Sequence, residues 1–122
     1  GCQQLHWAAS NNDVVMYAMP LPPNIDMSKD VVLHARIRSA GTTNAVGFSV
    51  SSWWNEGDTA VVDTSGTNQT NTWAEVVATI AAADTPSSAQ TVTISLTPAA
   101  HTTDAMYCSA IWLEYSTTTL TS

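Results

Sequence analysis

Apolar residues recur at every second position along several stretches of this chain, and a period of two is the spacing of a half-buried β-strand, not of a helix. Val31, Leu33, Ala35 and Ile37 alternate with His34, Arg36 and Arg38. Val46, Phe48 and Val50 alternate with Gly47, Ser49 and Ser51, and Val92, Ile94 and Leu96 with Thr91, Thr93 and Ser95. Leu5 to Ala9 and Val14 to Leu21 read as two further strands around Asn11-Asn12-Asp13, and Thr59 to Asp63 as a short β-branched one. Trp73 to Ala81 also alternates, although its alanines leave a helix open. Met106 to Tyr115 is apolar on both faces: Met106, Cys108, Ala110 and Trp112 on one, Tyr107, Ile111, Leu113 and Tyr115 on the other. That pattern predicts a strand buried on both sides, central in a sheet or set in a subunit interface.

The breaks carry turn chemistry. Pro20, Pro22 and Pro23 end one strand, Gly41-Thr42-Thr43-Asn44 suits a hairpin loop, and Asn55-Glu56-Gly57-Asp58 supplies residues that tolerate a left-handed backbone. Thr64 to Thr72, Asp84 to Ser88 and Pro98 to Asp104 punctuate the rest. About eight strands result, and they predict an all-β fold: an antiparallel β-sandwich with jelly-roll connections, with an immunoglobulin-like sandwich as the alternative. Residues 1–122 form one domain, of which 1–12 read as an N-terminal arm or the end of a linker. Gly1-Cys2-Gln3-Gln4 has neither an initiator Met nor a leader pattern, so the chain reads as processed or, in preference, as cut from something longer. Cys2 and Cys108 allow one disulfide; otherwise Cys108 is a small buried residue and Cys2 a free thiol.

Hydrophobic residues make up 44% of the chain and charged residues only 11%, so a core is available while the surface relies on Thr, Ser, Asn and Gln. Lys29, Arg36 and Arg38 are the only Lys and Arg residues against ten carboxylates, a net charge of −7. Phosphate backbones and anionic membranes both require clustered cations, so neither nucleic acid nor a membrane surface is an expected partner.

No catalytic constellation is visible, and the chain reads as a non-enzyme. His6, His34 and His101 stand in no metal-binding spacing and read as surface or strand-face imidazoles; no cofactor is implied. The serines lack a nucleophile elbow. Glu56, Asp58 and Asp63 form the densest acidic group and are weak calcium candidates, equally explained by turns and solubility. Trp7, Trp53, Trp54, Trp73 and Trp112 are five tryptophans in a short chain. Trp53 and Trp54 are adjacent on a strand and must point to opposite faces. Trp53, Trp54, Tyr107, Trp112 and Tyr115 are therefore the candidates for subunit contacts or for stacking on sugar rings. Asn68-Gln69-Thr70 matches a glycosylation sequon, a common pattern in a Thr-rich chain.

Asp30-Val31-Val32-Leu33-His34-Ala35-Arg36-Ile37 followed by Gly41-Thr42-Thr43-Asn44 resembles modules of tailed-phage virion structural proteins. Asn55 to Thr59, Ala78 to Asp84, Leu96 to Asp104 and Ile111-Trp112-Leu113-Glu114-Tyr115 look similar as well, so the likeness covers roughly residues 13–115. The resemblance implies a head-decoration or head-fibre-like β-sandwich on a particle surface, stabilising the virion through contacts with capsid proteins and with its own copies, a trimer being the expected homo-oligomer. Two alternatives stand beside it: a carbohydrate-binding or host-adhesion domain that meets surface glycans, and an extracellular filament subunit.

Overall fold

The strand at 31–39 organises the molecule. In the computed structural model, which describes residues 4–118, it is the third of eight strands: β1 Leu5–Trp7, β2 Val15–Pro20, β3 Val31–Ser39, β4 Phe48–Trp54, β5 Val61–Thr64, β6 Ala74–Ile80, β7 Thr91–Pro98 and β8 Met106–Glu114. The alanine-containing stretch is strand β6; the described residues contain no α-helix, only a short 3₁₀ turn at Ala82–Asp84.

The strands form two antiparallel four-stranded sheets, one ordered β1-β8-β3-β6 and the other β2-β7-β4-β5. Every connection but β4–β5 crosses from one sheet to the other, which gives the expected jelly roll. The first sheet contributes Leu33, Ala35, Ile37, Val76, Ala78 and Ile80 to the core, and the second Phe48, Val50, Val92, Ile94 and Leu96. Trp7 is buried among them, edge-on to Phe48 at 5.5 Å between ring centroids, so Leu5–Trp7 belongs to the sandwich and is not an arm. The Cys2 half of the anticipated disulfide lies outside the described residues.

Strand β8 departs from the expected alternation. It pairs with β3 as Arg36↔Ala110 and then Ile37↔Cys108, so Ser109 is an extra residue, a β-bulge. One inserted residue reverses the facing of everything beyond it. Met106 and Cys108 point inward on one side of the bulge, and Ile111 and Leu113 on the other. Nor is β8 buried on both sides: β1 covers only Met106–Cys108, and Trp112 is 42% exposed.

Loops at one end of the first sheet are clasped by side chains. Asp104 Oδ2 accepts the Thr43 and Asn44 N–H groups at 2.7 and 2.8 Å, while Asn44 Oδ1 accepts those of Thr103 and Asp104 at 2.8 and 2.9 Å. These bonds, the Asn44 N–H foremost, hold the Asp104 carboxyl below its usual range. His101 is not a surface imidazole. It is buried, with its ring nitrogens 2.9 Å from the Asp104 carbonyl and 2.7 Å from the Asn11 carbonyl, which tie two loops together. Asn68 is also buried: its amide donates to the Ile37 and Thr72 carbonyls and accepts from Thr70, which leaves the sequon nitrogen engaged.

Between β4 and β5, Asn55 and Glu56 both take the left-handed backbone (φ 55° and 56°), and Gly57 N–H closes the turn on Trp54 O at 3.0 Å. Gly47 is needed for a different reason: a Cβ there would sit 2.8 Å from the backbone oxygen of Gly66. Gly47→Ala is therefore expected to destabilise the domain by about 1–3 kcal/mol. Gly66→Ala, whose Cβ meets nothing closer than 3.8 Å, should stay near neutral in the same urea-denaturation series. Equal midpoints for the two variants would contradict this packing.

Candidate functional site

The outward residues of β3 are Val32, His34, Arg36 and Arg38, because the inward ones are consumed by the core. Their neighbours follow from register. His34 lies between Trp112 of β8 and Val77 of β6, Arg36 between Ala110 and Glu75, and Arg38 beside Tyr107. His6 of β1 pairs with Tyr107 on its other side. The bulge at Ser109 is what brings Tyr107 and Trp112, residues of opposite parity, onto one face.

Two ordered rows of side chains result. In the first, the indole of Trp112 stacks face to face on the His34 ring, with centroids 5.1 Å apart and an interplanar angle of 2°. His34 is clamped in turn: its Nδ1 is 3.0 Å from Glu75 Oε1 and its Nε2 2.8 Å from Glu114 Oε1. A neutral imidazole donates from one nitrogen only, so two carboxylates favour the doubly protonated ring. The bond to Glu114 chiefly, with help from Glu75, raises the His34 pKa above its ordinary 6.5. The far face of Trp112 looks toward the sheet edge, where no described strand flanks Ser109–Glu114.

The second row crosses three strands and ends on Trp73, the residue before β6. His6 stacks on Tyr107 at 4.6 Å, and the Arg38 guanidinium lies 4.2 Å from the Tyr107 ring centroid and 5.4 Å from that of Trp73. Cation–π attraction and stacking hold these groups against one another. Together the rows make a face of aromatic surfaces interleaved with two carboxylates, two imidazoles and the Arg38 guanidinium.

The other residues singled out from sequence go elsewhere. Trp53 and Trp54 do point to opposite faces. Trp54, however, is a core residue, 7% exposed, with its indole N–H donated to Ser52 Oγ at 3.1 Å, so it is removed from the contact candidates. Trp53 is half-buried on the outer face of the second sheet, opposite Thr93, among Ser and Thr side chains, with the Glu56 carboxylate on nearby Thr91. Tyr115 is exposed just past the end of β8, outside both rows. Glu56, Asp58 and Asp63 do not converge. Glu56 accepts from the Thr91 hydroxyl, Asp63 sits half-buried in β5 with one unpartnered oxygen, and the described residues include no group of three or more metal-ligating side chains. Burial first, and the nearby Asp84 charge second, push the Asp63 carboxyl upward, the reverse of what a cation site does.

A cleft of about 670 Å³ adjoins the aromatic face where β2 meets the uncovered part of β8; Tyr17, Met19, Leu33, Ile94, Cys108 and Leu113 line it, and so does Trp112. Its wall is mostly apolar. Burial raises the Tyr17 hydroxyl pKa and pushes the Cys108 thiol up to about 11, so neither group is ionised near neutral pH.

His6, His34, Arg36, Arg38, Trp73, Glu75 and Glu114 join the face although none was singled out for it from sequence. The only available signal was the parity of β3, which sets His34, Arg36 and Arg38 on its polar side.

The molecule is thus a jelly-roll β-sandwich with an aromatic and charged outer face on one sheet. Among solved structures it is similar to the carbohydrate-binding module TmCBM61 in complex with beta-1,4-galactotriose: TM-score 0.57, 10% identity, 93% of this chain and 69% of that one covered. It is also similar to CBM4, with a TM-score of 0.52 and 13% identity over 89% of this chain and 67% of that one. At such identities the likeness establishes the fold. No family model and no curated protein matches the sequence.

A His with a raised pKa adds stability that is fully present below its unfolded value and is lost as pH rises through the folded one. Folding stability measured by urea denaturation should therefore decline through and above the range near pH 6.5 in the wild type, and His34→Gln should flatten that decline. Identical pH profiles for the two proteins would count against the clamp.

Proposed function

We propose that this domain binds a glycan chain on the outer face of the β1-β8-β3-β6 sheet, in a non-catalytic role. The observation that carries the reading is Trp112: a large aromatic plane, 42% exposed, fixed by stacking on a histidine that two glutamates hold in place. Sugar rings present apolar C–H faces and hydroxyl edges together. A site for them needs flat aromatic surface beside fixed donors and acceptors, pre-organised so that little entropy is lost on binding. This face offers both. The adjoining cleft is mostly apolar and shares Trp112 with this face, and the second sheet's outer face has one half-buried tryptophan and a single carboxylate, Glu56, on Thr91.

The fold supports the reading, since TmCBM61 holds its galactotriose on a sandwich of this kind. The sequence resemblance to virion modules fits it too: a glycan-binding domain on a particle surface would serve attachment to a host.

Affinity gel electrophoresis against β-1,4-galactan, mannan, laminarin and polygalacturonate tests the proposal. At least one polysaccharide should retard the domain. Trp112→Ala should weaken that binding by about 2 kcal/mol or more, roughly 30-fold. Trp53→Ala should leave it unchanged. Retardation that depends on Trp53 and ignores Trp112 would place the site on the wrong sheet.

A further inference from the structure

The chain has three Lys and Arg residues against ten carboxylates, yet two of the three, Arg36 and Arg38, occupy consecutive outward positions of β3 on this face. Cations so scarce would ordinarily be drawn into ion pairs with the surplus acids. Among the described residues, neither arginine is. Both ion pairs there belong to His34, which takes Oε1 of Glu75, the residue directly across from Arg36 in register. Arg36 is exposed. Arg38 is held between the Tyr107 and Trp73 rings, and its one hydrogen bond among the described residues is a long 3.4 Å contact from Nη1 to the Ser39 carbonyl. Most of its N–H fork is left open along a plane that stacking has already fixed.

A pre-oriented, unpaired guanidinium beside a second one matches a planar or tetrahedral oxyanion, which it can grip with two parallel hydrogen bonds. The positions are two residues apart along a strand, about 6.6 Å, so one sugar residue can reach both. We propose that the ligand is an anionic glycan, carrying the carboxylate of a uronic acid or a sulfate ester, and that Arg36 and Arg38 receive the anionic group while the aromatic rows take the sugar faces. This rests on the glycan-binding reading above and specifies its substrate class. The selectivity is local: the −7 charge of the whole chain repels anions at long range, so the arginines must overcome that repulsion on contact.

Isothermal titration with trigalacturonate and its methyl ester forms one arm, and a sulfated galactan oligosaccharide and its desulfated counterpart the other. In one arm the acidic ligand should bind about tenfold tighter or better than its neutral partner. Arg36→Gln, at an exposed position, should shrink that preference while the neutral ligand's affinity holds; Arg38→Gln, which also frees Tyr107 and Trp73, should weaken both ligands and the acidic one more, with thermal melts showing both variants folded. The arm that responds identifies carboxylate or sulfate. Neutral ligands bound as well as acidic ones, with both variants at wild-type affinity, would overturn the anionic assignment and leave glycan binding standing. A wild-type domain that binds no glycan of either kind would overturn both.

Discussion

One inserted residue in β8 decides what this molecule can present to solvent. Ser109 bulges between Ala110, opposite Arg36, and Cys108, opposite Ile37. With unbroken alternation, Tyr107 and Trp112 would face opposite ways, one of them into the core. The bulge lets Met106, Cys108, Ile111 and Leu113 all serve the interior while both aromatics stand outside. β3 supplies the matching constraint: Leu33, Ala35 and Ile37 are at most 1% exposed, so its register is fixed by the core, and His34, Arg36 and Arg38 are held outward with no freedom to slip.

The outer face is rigid because each group restrains the next. Trp112 leans on His34, His34 is clamped by Glu75 and Glu114, and Arg38 is sandwiched between Tyr107 and Trp73. Exposed ion pairs of this kind add little to stability singly. Their consequence here is geometric: they hold the aromatic planes against fixed neighbours, a disposition that free side chains would lose entropy to adopt. Sites on regular strands are better defined than sites on loops, and seven of the groups discussed lie on or beside the strands of one sheet.

Much of the architecture was legible in the sequence because period-two patterning is a local property. The alternations around Leu33, Val50 and Ile94 become β3, β4 and β7, and the eight-strand count leads to a jelly roll. The site was less legible because it depends on pairing. Nothing in the order of residues says that Trp112 lies beside His34, or that a bulge brings Tyr107 to the same side. Trp54 looked like a contact residue, yet its neighbour Ser52 supplies the hydrogen bond that lets an indole N–H be buried. His101 looked like a surface imidazole in a polar loop, and two backbone carbonyls from distant segments draw it inside. In each case the deciding partner is remote in sequence or hidden by strand parity.

The central claim is that the β1-β8-β3-β6 face is the glycan surface. The five indole N–H groups are reporters distributed over the whole molecule. A heteronuclear NMR titration with an oligosaccharide that binds would read them together. The account predicts that the Trp112 and Trp73 indole signals move, with the backbone amides of β3 and β8, while Trp7 and Trp54 in the core and Trp53 on the opposite sheet stay in place. Shifts concentrated on Trp53 and the β4 and β7 amides would contradict it.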